Sequence, residues 1–240
     1  MTSTNRMRWR AGRNEVAAVS LTAAANLAVN RVPPRAYVPA NLGAAGALTW
    51  FARRLGASWS DMGMDRRRLG SGVRWGLAAA IPIAGAIALG VAIPATRRFF
   101  VDERAEAAGP REVMHQTLVR IPLGTALAEE VLFRGALLGI LERRRSRTVA
   151  DAWSGVLFGL SHILPTIDRL NGTHAETIGH ERHARAGAVL GVVLATMAAG
   201  YGLAWLRDRS GSLAAPVIAH ATLNDLAFLA AWVASRERST

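Results

Sequence analysis

Residues 121–141 read IPLGTALAEEVLFRGALLGIL, an apolar run with Glu129, Glu130 and Arg134 in its middle. A helix that crosses a bilayer needs ~20 predominantly apolar residues, and this run supplies them. Each charge near the bilayer centre costs ~2.5–3.5 kcal/mol on insertion scales, so the three charged groups must be paired, hydrated or useful. Arg134 follows Glu130 by four residues and shares its helix face, which neutralises one acid locally. An ion pair that only held helices together would need a single carboxylate. The second acid is left for other work.

Outward from this run lie six more apolar stretches bounded by charge or proline: 15–30, 36–52, 75–93, 149–164, 187–206 and 212–233. The expected fold is therefore all-α, a polytopic transmembrane helical bundle of about seven to eight spans, with the first, second and fifth short enough to borrow flanking residues. Composition agrees. A chain with 51% hydrophobic and 19% charged residues, and a mean hydropathy of +0.19, must segregate its charges from its apolar runs. The net charge of +12 comes from arginines clustered between those runs, with no basic face interleaved with aromatics, so the expected partner is the lipid bilayer and not nucleic acid. With no cysteine, disulfides, thiolate metal sites and a cysteine nucleophile are excluded. All 29 Lys and Arg positions are arginine, a usage typical of a GC-rich bacterium.

Arg6, Arg8, Arg10 and Arg13 precede the first run. A cleaved signal peptide would fit them, but Asn26 and Asn30 interrupt the apolar region and six more runs follow. With a cytoplasmic N-terminus, 16 arginines fall inside and 12 outside, the latter mainly in the loops 94–120 and 165–186, where acids accompany them. Trp50, Trp75, Trp153 and Trp205 then all lie near inner span ends. The expected location is a bacterial cytoplasmic membrane, as an integral protein with its N-terminus in the cytoplasm.

Two later runs also carry polar groups. The fifth contains Phe158-Gly-Leu-Ser-His162 and the seventh His220-Ala-Thr-Leu-Asn224, each pair spaced i, i+4 on one helix face. A lone histidine near a helix end is ordinarily a hydrogen-bonded structural group; depth makes the set more telling. Counted from the shared inner surface at ~1.5 Å per residue, Glu129 lies about 18 Å deep, His162 about 20 Å and His220 about 12 Å. A carboxylate, two imidazoles and an amide converging from three helices suit water chemistry. Either Glu129, His162 and His220 hold a divalent metal that activates water, or glutamate and histidine act directly as general bases. Asn224 can hydrogen-bond the developing oxyanion.

The three motifs, Glu129-Glu130-Val-Leu-Phe-Arg134-Gly, Phe158-Gly-Leu-Ser-His162 and His220-Ala-Thr-Leu-Asn224, resemble those of the CPBP family of CAAX prenyl proteases and bacteriocin-processing enzymes, also called the Abi domain. Ser210-Gly-Ser-Leu-Ala-Ala-Pro216 is similar to that family's lead into its last motif. The resemblance covers about residues 118–230. It implies an intramembrane endopeptidase acting on a peptide or protein substrate. Glu129 with His162 would bind or activate the water, Glu130 would support Arg134, Phe158 would be a structural support, and His220 with Asn224 would bind the scissile carbonyl or complete a metal site. The corresponding organisation is 1–117 as N-terminal transmembrane helices, 118–233 as the catalytic core and 234–240 as a polar tail. Zinc is the favoured cofactor, because two imidazoles and a carboxylate match a hydrolytic zinc set.

Two other readings compete. A proton- or ion-coupled transporter would show internal repeats and broken helices, and neither is visible. A catalytically silent scaffold or immunity protein on the same fold would lose a motif residue, and none is missing. HExxH, GxSxG and a glycine-rich phosphate loop are absent. His174, His180, His183 and Glu181 read as hydrated loop residues, Asp151 as an acid complementing the dipole of the fifth helix, and Asp225 as a neighbour of Asn224 on another face.

Overall fold

A computed structural model of the chain describes residues 3–97, 99, 100, 102–171 and 182–238. The apolar runs are helical, because a helix satisfies its own backbone groups where water is absent, and the fifth, 149–164, is divided between two helices at His162. The long helices are α1 (Ser3–Val29), α2 (Tyr37–Arg54), α3 (Leu69–Ala92), α4 (residues 110–141), α5 (Arg147–Ser161), α6 (Ile163–Asn171), α7 (Arg182–Ser210) and α8 (Ala214–Arg238). Among the described residues there is no strand. His174, His180 and Glu181 lie outside the described residues; His183 is exposed in the first turn of α7.

Among the described residues, three helices are long and apolar enough to cross a membrane: Arg66–Ala92, Arg182–Ser210 and Ala214–Glu237. This is fewer than the seven to eight expected from apolar runs. The difference has local causes. α5 has only 15 residues and stops at Ser161, and α2 carries Asn41, Thr49, Arg53 and Arg54 within its 18. α3 shows how the bundle meets its surroundings: Leu77, Ile81 and Leu89 are exposed, an apolar outer face that lipid would cover.

α4 forms the centre. Residues 132–141 are all buried, packed against Ala18 of α1, Ala45, Leu48 and Ala52 of α2, Ala150 and Phe158 of α5 and Ala204 of α7. It is not a uniform α-helix. Gln116–Leu127 and Val131–Leu137 are wound as π-helix, with Glu129 and Glu130 in the α-turn between them. The wider winding, with i→i+5 bonding, is rare and concentrates at functional positions.

Glycines set the helix spacing on both sides. On α5, a Cβ at Gly159 would stand 2.7 Å from the Val193 carbonyl oxygen, and one at Gly155 3.0 Å from that of Met197, both on α7. Gly72 and Gly76 of α3 approach Ser212 and Ile218 just as closely. Both are Gly-xxx-Gly pairs, the arrangement by which apolar helices gain contact without a hydrophobic driving force.

At one end of the bundle, charges tie α4, α5 and α7 together. Arg207 donates to both carboxylate oxygens of Glu142, at 3.0 and 2.9 Å, and pairs with Asp208 at 2.8 Å, while Arg147 reaches Asp208 at 3.0 Å. Asp151 is buried beside them rather than facing the solvent of the first turn, so its surroundings are this charge cluster and not the helix dipole alone.

Candidate active site

Successive helical residues diverge by about 100°, and the adjacent acids of α4 separate accordingly. Glu130 turns fully inward, with Arg134, four residues on, also fully buried. The Arg134 guanidinium donates to Glu130 Oε1 at 3.1 Å and to the Gly200 carbonyl of α7 at 3.0 Å, and it lies 4.2 Å over the ring of Phe158. A buried guanidinium needs its donors engaged from several sides. α7 can supply its share because Gly200 has no side chain: a Cβ there would sit 2.9 Å from the Arg134 terminal nitrogen.

His220 completes this group from α8. Its Nδ1 lies 2.8 Å from the same Glu130 Oε1. A carboxylate fixes the imidazole as an Nδ1–H donor and leaves the lone pair on Nε2. That Nε2 faces Glu129 Oε2 at 3.9 Å, too long for a direct hydrogen bond. Glu129 Oε2 is buried and has no hydrogen-bond partner among the described residues. The pair thus presents two electron-rich atoms to each other.

His162 occupies the turn where α5 stops and α6 begins, with φ −87° and ψ −3°. Its Nδ1 lies 2.8 Å from the Phe158 carbonyl, which makes Nδ1–H the donor and leaves Nε2 as the accepting atom. Phe158 is the shared wall of the site. Its ring meets His162 edge-on at a centroid distance of 4.7 Å, His220 at 5.9 Å and Phe133 at 5.2 Å. Asn224 is half-buried one turn beyond His220 on α8, and Asp225 beside it has a buried Oδ1 without a hydrogen-bond partner among the described residues.

All three sequence motifs therefore meet around one aromatic ring. The metal set proposed from sequence is drawn together only in part: Glu129 and His220 face each other, whereas the described acids and histidines whose ligand atoms all lie within 4.8 Å of one another are Glu142, Asp151 and Asp208, at the distant charge cluster. The unpartnered Glu129 oxygen and the His220 lone pair fit a divalent ion, whose tetrahedral nitrogen and oxygen ligands stand roughly 3.3 Å apart. Glu130 acts beyond the role read for it, because it holds His220 as well as Arg134.

A family model described as type II CAAX prenyl endopeptidase Rce1-like matches residues 113–226. Over those residues, slightly under half of the chain, it is similar to the Rce1-like family, in line with the resemblance carried by the motifs. The Rce1-like segment runs from α4 into α8 and contains Glu129, Glu130, Arg134, Phe158, His162, His220 and Asn224. No curated protein and no solved structure matches the chain.

Two contributions lie outside what the motifs announced. Tyr37, at the start of α2 and outside the Rce1-like segment, hydrogen-bonds Thr125 at 3.2 Å and lies in the electrostatic field of Glu129. Nothing in the local sequence marks it. The Gly155–Gly159 pair did carry a signal, the Gly-xxx-Gly spacing in an apolar helix, and with Gly200 it brings α5 and α7 close enough for Phe158 to touch Arg134.

Proposed function

We propose that the chain is an intramembrane endopeptidase that hydrolyses peptide bonds of membrane-associated substrates through a glutamate- and histidine-activated water. The carrying observation is the buried Glu129 Oε2, which has no hydrogen-bond partner among the described residues and lies 3.9 Å from His220 Nε2. With neutral imidazoles, Glu129, Glu130 and Arg134 sum to one negative charge at a buried place, suited to accepting a proton.

In this reading Glu129 takes a proton from a water seated between itself and His162, whose Nε2 is the second acceptor. The water oxygen bonds to the scissile carbonyl carbon, and the carbonyl oxygen gains the electron pair. The Asn224 amide donates to that oxyanion. The C–N bond then breaks, and the proton held by Glu129 passes to the leaving amine. Glu130 and Arg134 orient His220 and keep its Nε2 turned to the site. His220 so oriented presents a lone pair, which suits a metal ligand; a zinc ion held by Glu129 and His220, with His162 as the expected third ligand, would supply Lewis-acid activation of the water.

The orientation we favour keeps the N-terminus in the cytoplasm of a bacterium. Trp75 and Trp205, whose rings meet edge-on at 6.0 Å, then mark one membrane surface. The test is turnover of an internally quenched membrane peptide by purified protein in liposomes. Wild type should cleave it, and Glu129→Gln should lose roughly 10²–10⁴-fold in kcat with an unchanged circular-dichroism spectrum. Equal turnover by both proteins would refute the assignment of Glu129.

A further inference from the structure

Two helices end in an acid at the same end of the bundle. Glu142 directly follows α4, and Asp208 lies in the last turn of α7. A carboxylate is disfavoured at a helix C-terminus, where the backbone carbonyls already gather negative charge, and a cation is favoured there. α5 adds Asp151 from its second turn. One carboxylate oxygen from each of the three lies within 4.8 Å of the other two. Three like charges so close together, and partly buried, require cations among them.

Two arginines meet part of this requirement. Arg207, itself buried, donates to both oxygens of Glu142, to Asp208 and to the Asp61 carbonyl, so its place is fixed. Arg147 is held far less. Its side chain is 69% exposed, and its Nε stands 3.0 Å from Asp208 Oδ2, yet that oxygen accepts no hydrogen bond among the described residues. Both arginines pair with Glu142 and Asp208, and neither pairs with Asp151. Asp151 is 5% exposed, and its Oδ1 is buried without a hydrogen-bond partner among the described residues. The charged groups in whose field it lies are Asp208, Glu142, Arg207 and Arg147.

Charge and geometry agree on what completes the cluster. With Arg147 turned to solvent, the three carboxylates and Arg207 sum to two negative charges, which one divalent ion neutralises. Carboxylate oxygens stand about 2.3–2.6 Å from a calcium ion, so two of them can be about 5.2 Å apart, and the 4.8 Å spread fits inside one coordination sphere. A cleft lined by Asp61, Gly139, Glu142 and Arg143 opens beside Glu142 and gives an ion and its remaining waters a way in.

We propose that Glu142, Asp151 and Asp208 bind a hard divalent cation of the magnesium, calcium and manganese class, which clamps the ends of α4 and α7 to the start of α5. Arg147 is the counter-charge that the ion displaces. An all-carboxylate donor set suits these ions, in contrast to the imidazole-containing set at Glu129 and His220.

Manganese is the probe, because its electron paramagnetic resonance signal collapses on binding and so counts bound ions. Glu129→Gln protein in detergent, stripped by chelation and exchanged into chelator-free buffer, is the background, since it lacks the acid of the other candidate metal site. One manganese should bind, and excess magnesium or calcium should displace it. Magnesium at about ten times its dissociation constant should raise the melting temperature by about 3–6 °C. Asp151→Asn should weaken manganese binding roughly tenfold or more, since affinity follows ligand charge, and should remove the thermal shift. Arg147→Gln should tighten binding about two- to fivefold, the strength of an exposed ion pair, and at an exposed side chain it keeps the test if Asp151→Asn does not accumulate. An ion-pair network alone would bind no manganese. That result, binding that survives Asp151→Asn unchanged, or an affinity unaltered by Arg147→Gln overturns the proposal.

Discussion

Replacing Arg134 with alanine should cost about 4 kcal/mol of stability. Both Arg134 and Glu130 are fully buried, and removing one member of such a pair typically costs ~3–5 kcal/mol because the other charge is stranded. His220 still donates to Glu130 at 2.8 Å, which argues for the lower part of that range. Against this, the Gly200 carbonyl loses its 3.0 Å donor and the Phe158 ring its cation, together worth ~1–2 kcal/mol. At roughly 2–4 °C per kcal/mol for a chain of this size, the melting temperature should fall by about 8–16 °C. Tryptophan fluorescence of detergent-solubilised protein reads the transition directly. A double variant, Glu130→Leu with Arg134→Met, is the control: it removes both charges, so it should melt near wild type while losing cleavage, because His220 then has no carboxylate to orient it. An Arg134→Ala protein melting within about 2 °C of wild type would refute the claim that its charge compensates Glu130.

Two further outcomes are expected. Gly159→Val should destabilise the protein by ~1–3 kcal/mol through overpacking and also slow cleavage, since α5 must move away from the Val193 carbonyl and takes Phe158 and His162 with it; an unchanged melt and turnover would dismiss the glycine seam. If Glu129 and His220 hold zinc, exhaustive chelation should abolish peptide cleavage and added zinc should restore it, whereas an active preparation shown by elemental analysis to hold no divalent ion would favour direct glutamate and histidine catalysis.

The residues at the centre of the site were legible because membrane chemistry makes them expensive. Glu129, Glu130 and Arg134 stand out against 18 apolar or small neighbours within 121–141, and the i, i+4 rule placed Arg134 on Glu130 correctly. Helix positions were legible for the same reason. The second partner of Glu130 was not, since 90 residues separate it from His220 and no local spacing encodes that contact. Depth along straight helices was a poor guide to convergence, because α5 breaks at His162 and α4 passes into π-helical winding twice. Tyr37 was invisible for a third reason: an aromatic residue near a helix start is ordinary, and only tertiary packing puts it against Arg120 and Thr125.

The Glu129–Glu130 doublet looks redundant as text, one letter written twice. In space it is two different instruments: Glu130 is sealed in the interior with two donors on a single oxygen, while Glu129 keeps 18% of its side chain exposed and holds an unengaged oxygen toward His220. The helical turn between them means that neither can stand in for the other, so the repeated letter provides no backup. Any change of phase along α4, whether by insertion, deletion or reversion of the π-helical stretches, would exchange the two environments before it altered a single side chain. The winding of the backbone is thus part of the spelling of the motif.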